Sequence, residues 1–96
     1  MEVTNAQLYN IHPSPTGVCA KAEIEINNTM VVRNIKIING KRGLFIAFPN
    51  DGKYNIRDGV KRYNDIFYIK DAEERDELQN LLVDMYNSAI TQQETK

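Results

Sequence analysis

MVVRNIKIINGKRGLFIAF, residues 30–48, reads as two apolar strands folded about a tight turn at Asn39-Gly40-Lys41-Arg42-Gly43. Both strands are too apolar to face water on both sides, so the rest of the chain must pack around this hairpin. Gly40 and Gly43 suit a tight reversal, because glycine accepts φ > 0 without a Cβ clash. Lys41 and Arg42 stand at its tip, where charge stays solvated. Arg33 and Lys36 differ in parity and point to opposite faces unless a bulge intervenes.

Working outward, residues 2–11 (EVTNAQLYNI) alternate loosely, with Thr4, Ala6 and Leu8 on one side, as in a half-buried strand. His12-Pro13-Ser14-Pro15-Thr16-Gly17 is a loop, and His12, the sole histidine, reads as a loop residue rather than a base or ligand. Val18 to Asn27 alternates strictly: Val18, Ala20, Ala22, Ile24 and Ile26 face a core, while Cys19, Lys21, Glu23 and Glu25 face water. Past Phe48, Asp51-Gly52 is a strong two-residue hairpin signal. It would pair Lys53 with Asn50, Ile56 with Ala47 and Asp58 with Phe45, and set Val60 opposite Gly43. Residues 59–64 then form a loop and 65–69 a short strand. Asp71 is a good N-cap, with Glu74 completing a capping box. Leu78, Leu81, Leu82, Met85, Tyr86 and Ile90 recur at helical spacing as one apolar stripe. The expected fold is therefore α+β: an antiparallel sheet of five or six strands with one C-terminal helix packed on one face. The domain spans 1–90, followed by a polar, disordered tail at 91–96.

The chain has 96 residues, 42% hydrophobic and 26% charged, with net charge −1, which suits one ordinary globular domain. The near-zero charge is a cancellation. Residues 1–32 carry one base and three acids (−2), residues 33–70 nine bases and three acids (+6), and residues 71–96 two bases and seven acids (−5). A single cysteine excludes an internal disulfide and fits a reducing compartment. The Met-Glu-Val-Thr start lacks a signal-peptide pattern, and no apolar run is long enough for a bilayer span. A cytoplasmic protein is expected.

The Asp51-Gly52 register would deliver Arg57, Lys61 and Arg62 beside Lys41 and Arg42, with Tyr63, and Tyr54 as a second candidate, among them. Clustered cations beside an aromatic suit a polyanion, since phosphates need positive potential and bases a flat surface. The same charges could instead merely guard sheet edges. Catalytic chemistry finds no support. Gly40-Lys41 and Gly52-Lys53 are followed by Arg42 and Tyr54 rather than the Ser or Thr of a phosphate loop, and one His and one Cys on separate segments make no metal site.

Taken together, EVTNAQLYNI, VVRNIKIINGKRGLFIAFP, Arg57-Asp58 and a closing helix reaching Tyr86 resemble the SpoVG (stage V sporulation protein G, septation regulator) family of bacteria. Ile35, Gly40, Gly43, Leu44, Phe45, Ala47 and Pro49 carry the most specific part of the likeness. The resemblance implies a small domain, usually a homodimer, that binds DNA and in some members RNA. Such proteins regulate gene expression, sporulation or septation, without enzymatic activity or a cofactor. It places nucleic-acid contacts on basic residues toward the final helix, where Arg75 stands at a family arginine. This chain departs from the pattern in three ways. Tyr68-Ile69-Lys70-Asp71 replaces the family's His-Pro-Ile-Asn, the 52–65 segment is longer, and the helix is otherwise acidic. The expected binding residues are Lys41, Arg42, Arg57, Lys61, Arg62, Tyr63 and Arg75. The competing reading is a protein-interaction adaptor in division or regulation that makes no contact with nucleic acid.

Overall fold

The chain forms six strands and one helix, here described from a computed structural model over residues 1–15 and 17–94, with side chains through residue 91. Strands β1 (Val3–Tyr9), β2 (Gly17–Ile26), β3 (Met30–Gly40) and β4 (Gly43–Ala47) make an antiparallel sheet in the order β1-β2-β3-β4. Strands β5 (Asn50–Arg57) and β6 (Val60–Asp65) form a separate two-stranded ribbon, and α1 (Ala72–Glu94) closes the chain. The α+β class and the antiparallel pairing are as expected. The sheet, however, is split four and two. Of the tail expected to be disordered at 91–96, residues 91–94 instead continue α1, and residues 95 and 96 lie outside the described residues.

The core lies between one face of the larger sheet and α1. Ile24, Ile35, Ile37, Leu78 and Leu82 are its largest fully buried side chains, with Tyr86 beside them. Leu81, read as part of the helical stripe, lies at its solvent edge. The helix starts as expected: Asp71 Oδ1 accepts from the Glu74 N–H at 3.1 Å. The Glu74 carboxylate is engaged by the Met1 amino group instead, at 3.1 Å. Gln79 Oε1 accepts from the Ile46 N–H at 3.2 Å, filling one donor of the β4 edge. Leu44 lies near Tyr86 and Ile90, whereas Ala47 lies near Arg75 and Gln79. The helix therefore runs antiparallel to β4.

Bulges correct the simple alternation. Val18 faces Ile38 and Ala20 faces Ile37, so β2 carries one extra residue there. Cys19 is consequently buried, at 1% exposure, and Val18 is turned out, at 46%, the reverse of the expected faces. A second bulge sets Arg33 and Asn34 against Glu23, with Asn34 at φ 64°. It places Arg33 and Lys36 together on the face away from the core, while Val32 and Ile35 both remain inside. A third falls at Thr4, between the pairs Val3–Ile26 and Asn5–Glu25, and brings Val3 to the core beside Ala6 and Leu8.

The turn assignment after Phe48 is also corrected. The hairpin turn is Asp58-Gly59, with Arg57 opposite Val60 and φ of 51° and 75° at its two residues, the signs a two-residue hairpin requires. Asp51-Gly52 is an irregularity within β5. Its side chains serve the local backbone, Asn50 Oδ1 accepting from Gly52 N–H at 2.9 Å and Asp51 Oδ1 from Lys53 N–H at 2.8 Å. Residues 60–65, expected mostly as loop, are thus a strand, and the expected 65–69 strand is irregular chain that leads to the helix.

Candidate nucleic-acid interface

The ribbon leaves the sheet at Phe48-Pro49 and returns at Ile66, where the Ile66 N–H donates to the Pro49 carbonyl at 2.8 Å. Its root is held by apolar contact. Buried Phe48 meets Phe67 edge-on with ring centroids 5.5 Å apart, and Ile69 is buried beside them. Beyond the root, every residue from Asp51 to Ile66 is exposed.

Once Asp58-Gly59 is the turn, the side chains of the ribbon sort by register. Tyr54, Ile56, Lys61 and Tyr63 share one face; Asn55, Arg57, Val60 and Arg62 share the other. Tyr54 and Tyr63 pair across the strands with centroids 5.6 Å apart, and Lys61 Nζ sits 4.6 Å from the Tyr54 centroid. Asn64 Nδ2 donates to Asp51 Oδ2 at 2.8 Å, tying the irregular start of β5 to β6. That bond, together with the Lys53 N–H, holds the Asp51 carboxyl below its ordinary pKa.

A groove opens between the ribbon, the end of β4 and the first turns of α1. Lys61, Arg62, Tyr63 and Tyr68 form one wall, and Arg75, Asp76 and Gln79 the helix side. Arg75 lies at the positive end of the helix dipole, where a base is electrostatically disfavoured. Its position is therefore not explained by helix stability. Asp65 lines the same groove, and although the residue is exposed, partial desolvation of its carboxyl against the groove wall raises its pKa. On the ribbon's other flank, Arg57 and Arg62 share a second depression with Lys53 and Asn64, so Arg62 belongs to both. Cations, two tyrosine rings and amides converging in this way can hold phosphates and stack bases.

Of the residues expected to bind, Lys61, Arg62, Tyr63 and Arg75 share the groove, and Arg57 joins through Arg62. Lys41 and Arg42 do not. The pairing that was to bring them alongside is absent, because β4 pairs with β3 alone. They sit at the opposite end of β4, about 17 Å of strand away from the ribbon's root. Tyr54, expected among these cations, lies beside Tyr63; Lys53 and Tyr68 complete the site and were not anticipated in it. Choosing Asp58-Gly59 as the turn would have placed Tyr54 opposite Tyr63 from the sequence alone. Among the described residues, no three His, Cys, Asp or Glu side chains group as metal ligands, and no helix is long and apolar enough to cross a membrane.

A family model described as SpoVG matches residues 1–88. A relative from Agathobacter rectalis, named septation protein SpoVG, is 30% identical over 94 residues, covering 94% of this chain and 97% of its own. Another so named, from Lachnoclostridium phytofermentans, is 34% identical over 90 residues, covering 93% of this chain and 89% of its own. A third, from Clostridioides difficile, is 30% identical over 94 residues, at 98% and 96% coverage.

Proposed function

The chain belongs to the SpoVG family, and from that premise we propose that it is a cytoplasmic regulatory protein of the septation type that acts by binding DNA, and RNA as a second ligand, as a homodimer. It works by binding rather than catalysis and needs no cofactor. The observation that carries the reading is the convergence of Lys61, Arg62, Tyr63 and Arg75 on one groove. Phosphates engage Lys61, Arg62 and Arg75, with Arg57 and Lys53 extending the track along the ribbon. Tyr63 and Tyr68 offer ring faces to bases. Such contacts read charge and shape, so binding is weakly specific in sequence.

Fluorescence anisotropy with labelled DNA and RNA over a salt gradient tests this. Affinity is expected to fall steeply with salt, and Lys61→Glu with Arg62→Glu to weaken binding across all sequences. Each lost phosphate contact lowers the log–log salt slope by about one. A flat salt response would reject the mechanism. The adaptor reading is favoured by exposed Ile56, Ile66 and Tyr68 on and beside the ribbon; it predicts protein partners whose capture survives nuclease treatment.

A further inference from the structure

The sheet face opposite the helix carries a second set of chemical groups that the ribbon does not use. Strand register defines it. Tyr9, Lys21, Lys36 and Ala47 form one row across all four strands, and Val18, Ile38 and Phe45 form the next. Phe45 is 41% exposed in a protein whose other phenylalanines are buried or half-buried. Its ring lies over Gly40: a Cβ there would stand 2.8 Å from Phe45 Cε1. A flat, open aromatic surface results, bordered by Val18 and Ile38.

Positive charge flanks this ring on both sides. Lys21 and Lys36 are directly opposed across β2 and β3, about 5 Å apart at Cβ, a like-charge pairing that is unfavourable unless an anion lies near it. The carboxylates on that face are engaged elsewhere: Glu23 pairs with Arg33, and Glu25 accepts from the Thr4 hydroxyl at 2.9 Å. Among the described residues, neither lysine has an ion-pair partner. On the other side of the ring stand Lys41 and Arg42, exposed in the β3–β4 turn. At strand rise, the lysine pair lies about 7 Å from the level of the ring and the turn about 10 Å beyond it.

We propose that this open face is a second nucleic-acid surface, for unpaired strands, with a base stacked on Phe45 and phosphates held by Lys21 and Lys36 on one side and Lys41 and Arg42 on the other. The ligand is single-stranded because a duplex hides the base faces that an aromatic platform needs. Opposed, unneutralised lysines select a polyanion over an apolar partner. The surface is distinct from the ribbon groove and stands whether or not that groove binds.

The test measures the affinity of full-length protein for labelled oligo(dT) of ten nucleotides and for a duplex of the same length. The variants are Phe45→Leu, Phe45→Tyr, Lys21→Glu with Lys36→Glu, and Arg62→Glu, with thermal melts run alongside. Phe45→Leu keeps the apolar volume and removes the ring; it is expected to weaken oligo(dT) binding about tenfold and leave the duplex unchanged, with Phe45→Tyr retaining wild-type affinity. The lysine reversal is expected to do the same through charge. Amide shifts of Ile38, Gly40 and Phe45 in wild-type protein titrated with oligo(dT) give a readout independent of variant folding. Unmoved amides, or Phe45→Leu binding like wild type, overturn the proposal. So does a Phe45→Leu change in sedimentation without a change in oligo(dT) affinity, which would assign the face to a second copy of the chain. Loss on Arg62→Glu alone supports the ribbon groove and rejects this surface; loss on Phe45→Leu alone does the converse.

Discussion

Asp51 shows how one residue can carry a turn signal and do something else. Its carboxylate accepts from Asn64 Nδ2 and from the Lys53 N–H, both at 2.8 Å, and these bonds favour the charged form. A carboxyl whose folded pKa lies below its ordinary value of 3.8 contributes stability that is fully present above that pH. The contribution is lost as pH falls through the lowered folded value. Carbon-detected NMR of the Asp51 carboxyl should therefore give a midpoint below 3.8, and the Asn64 side-chain amide should shift along the same curve. A midpoint at or above 3.8 would mean the bond is not populated in solution. Asn34 and Cys19 teach a related lesson. Alternation by twos placed Cys19 in water, because nothing in Val18-Cys19-Ala20 marks the inserted residue. Asn34, by contrast, is a residue type that tolerates φ > 0, and it lay between Arg33 and Lys36, whose parities already conflicted.

At the scale of elements, β2, β3, β4 and the helix were legible because each buries one face, and burial enforces period. The ribbon was not, because it buries neither face of β5 or β6. Without a core side to impose alternation, register there is set by the turn, and two Asp-Gly pairs compete for that role. Asp58-Gly59 prevails since both of its residues take φ > 0, whereas at Asp51-Gly52 only the glycine does. The candidate site inherited this ambiguity: Arg57, Lys61, Arg62 and Tyr63 are neighbours under either choice, but Lys41 and Arg42 joined them only under the wrong one. Energetics separate the two sheets as well. A two-stranded ribbon with both faces in water is marginal by itself, held chiefly by its Phe48–Phe67 root and the Tyr54–Tyr63 pair. Hydrogen exchange on dilute protein should show amides of β5 and β6 exchanging through local opening, while those of β2 and β3 exchange only through global unfolding. Equal protection in both sheets would contradict that picture.

For the whole molecule, the ribbon bears on shape and on the proposed dimer. The Cα radius of gyration is 13.9 Å, against roughly 12.5 Å for a compact chain of this length, and the long axis reaches 44 Å. The ribbon, exposed on both faces beyond its root, carries Ile56 at 67% and Val60 at 53% exposure near its tip, with Ile66 at 71% beside its root. A monomer gains nothing by holding Ile56 in water, whereas a two-fold dimer through that face of the ribbon covers it on both copies at once. Sedimentation should therefore give a species near twice 11.0 kDa at tens of micromolar protein. Ile56→Glu should return it to monomer without altering the thermal unfolding of the main sheet, whose core that residue does not touch. A dimer formed through the ribbon predicts that amide protection in β5 and β6 rises with protein concentration in the wild type and stays flat in Ile56→Glu. If only an 11.0 kDa species sediments, the apolar tip serves another partner and the dimer is excluded.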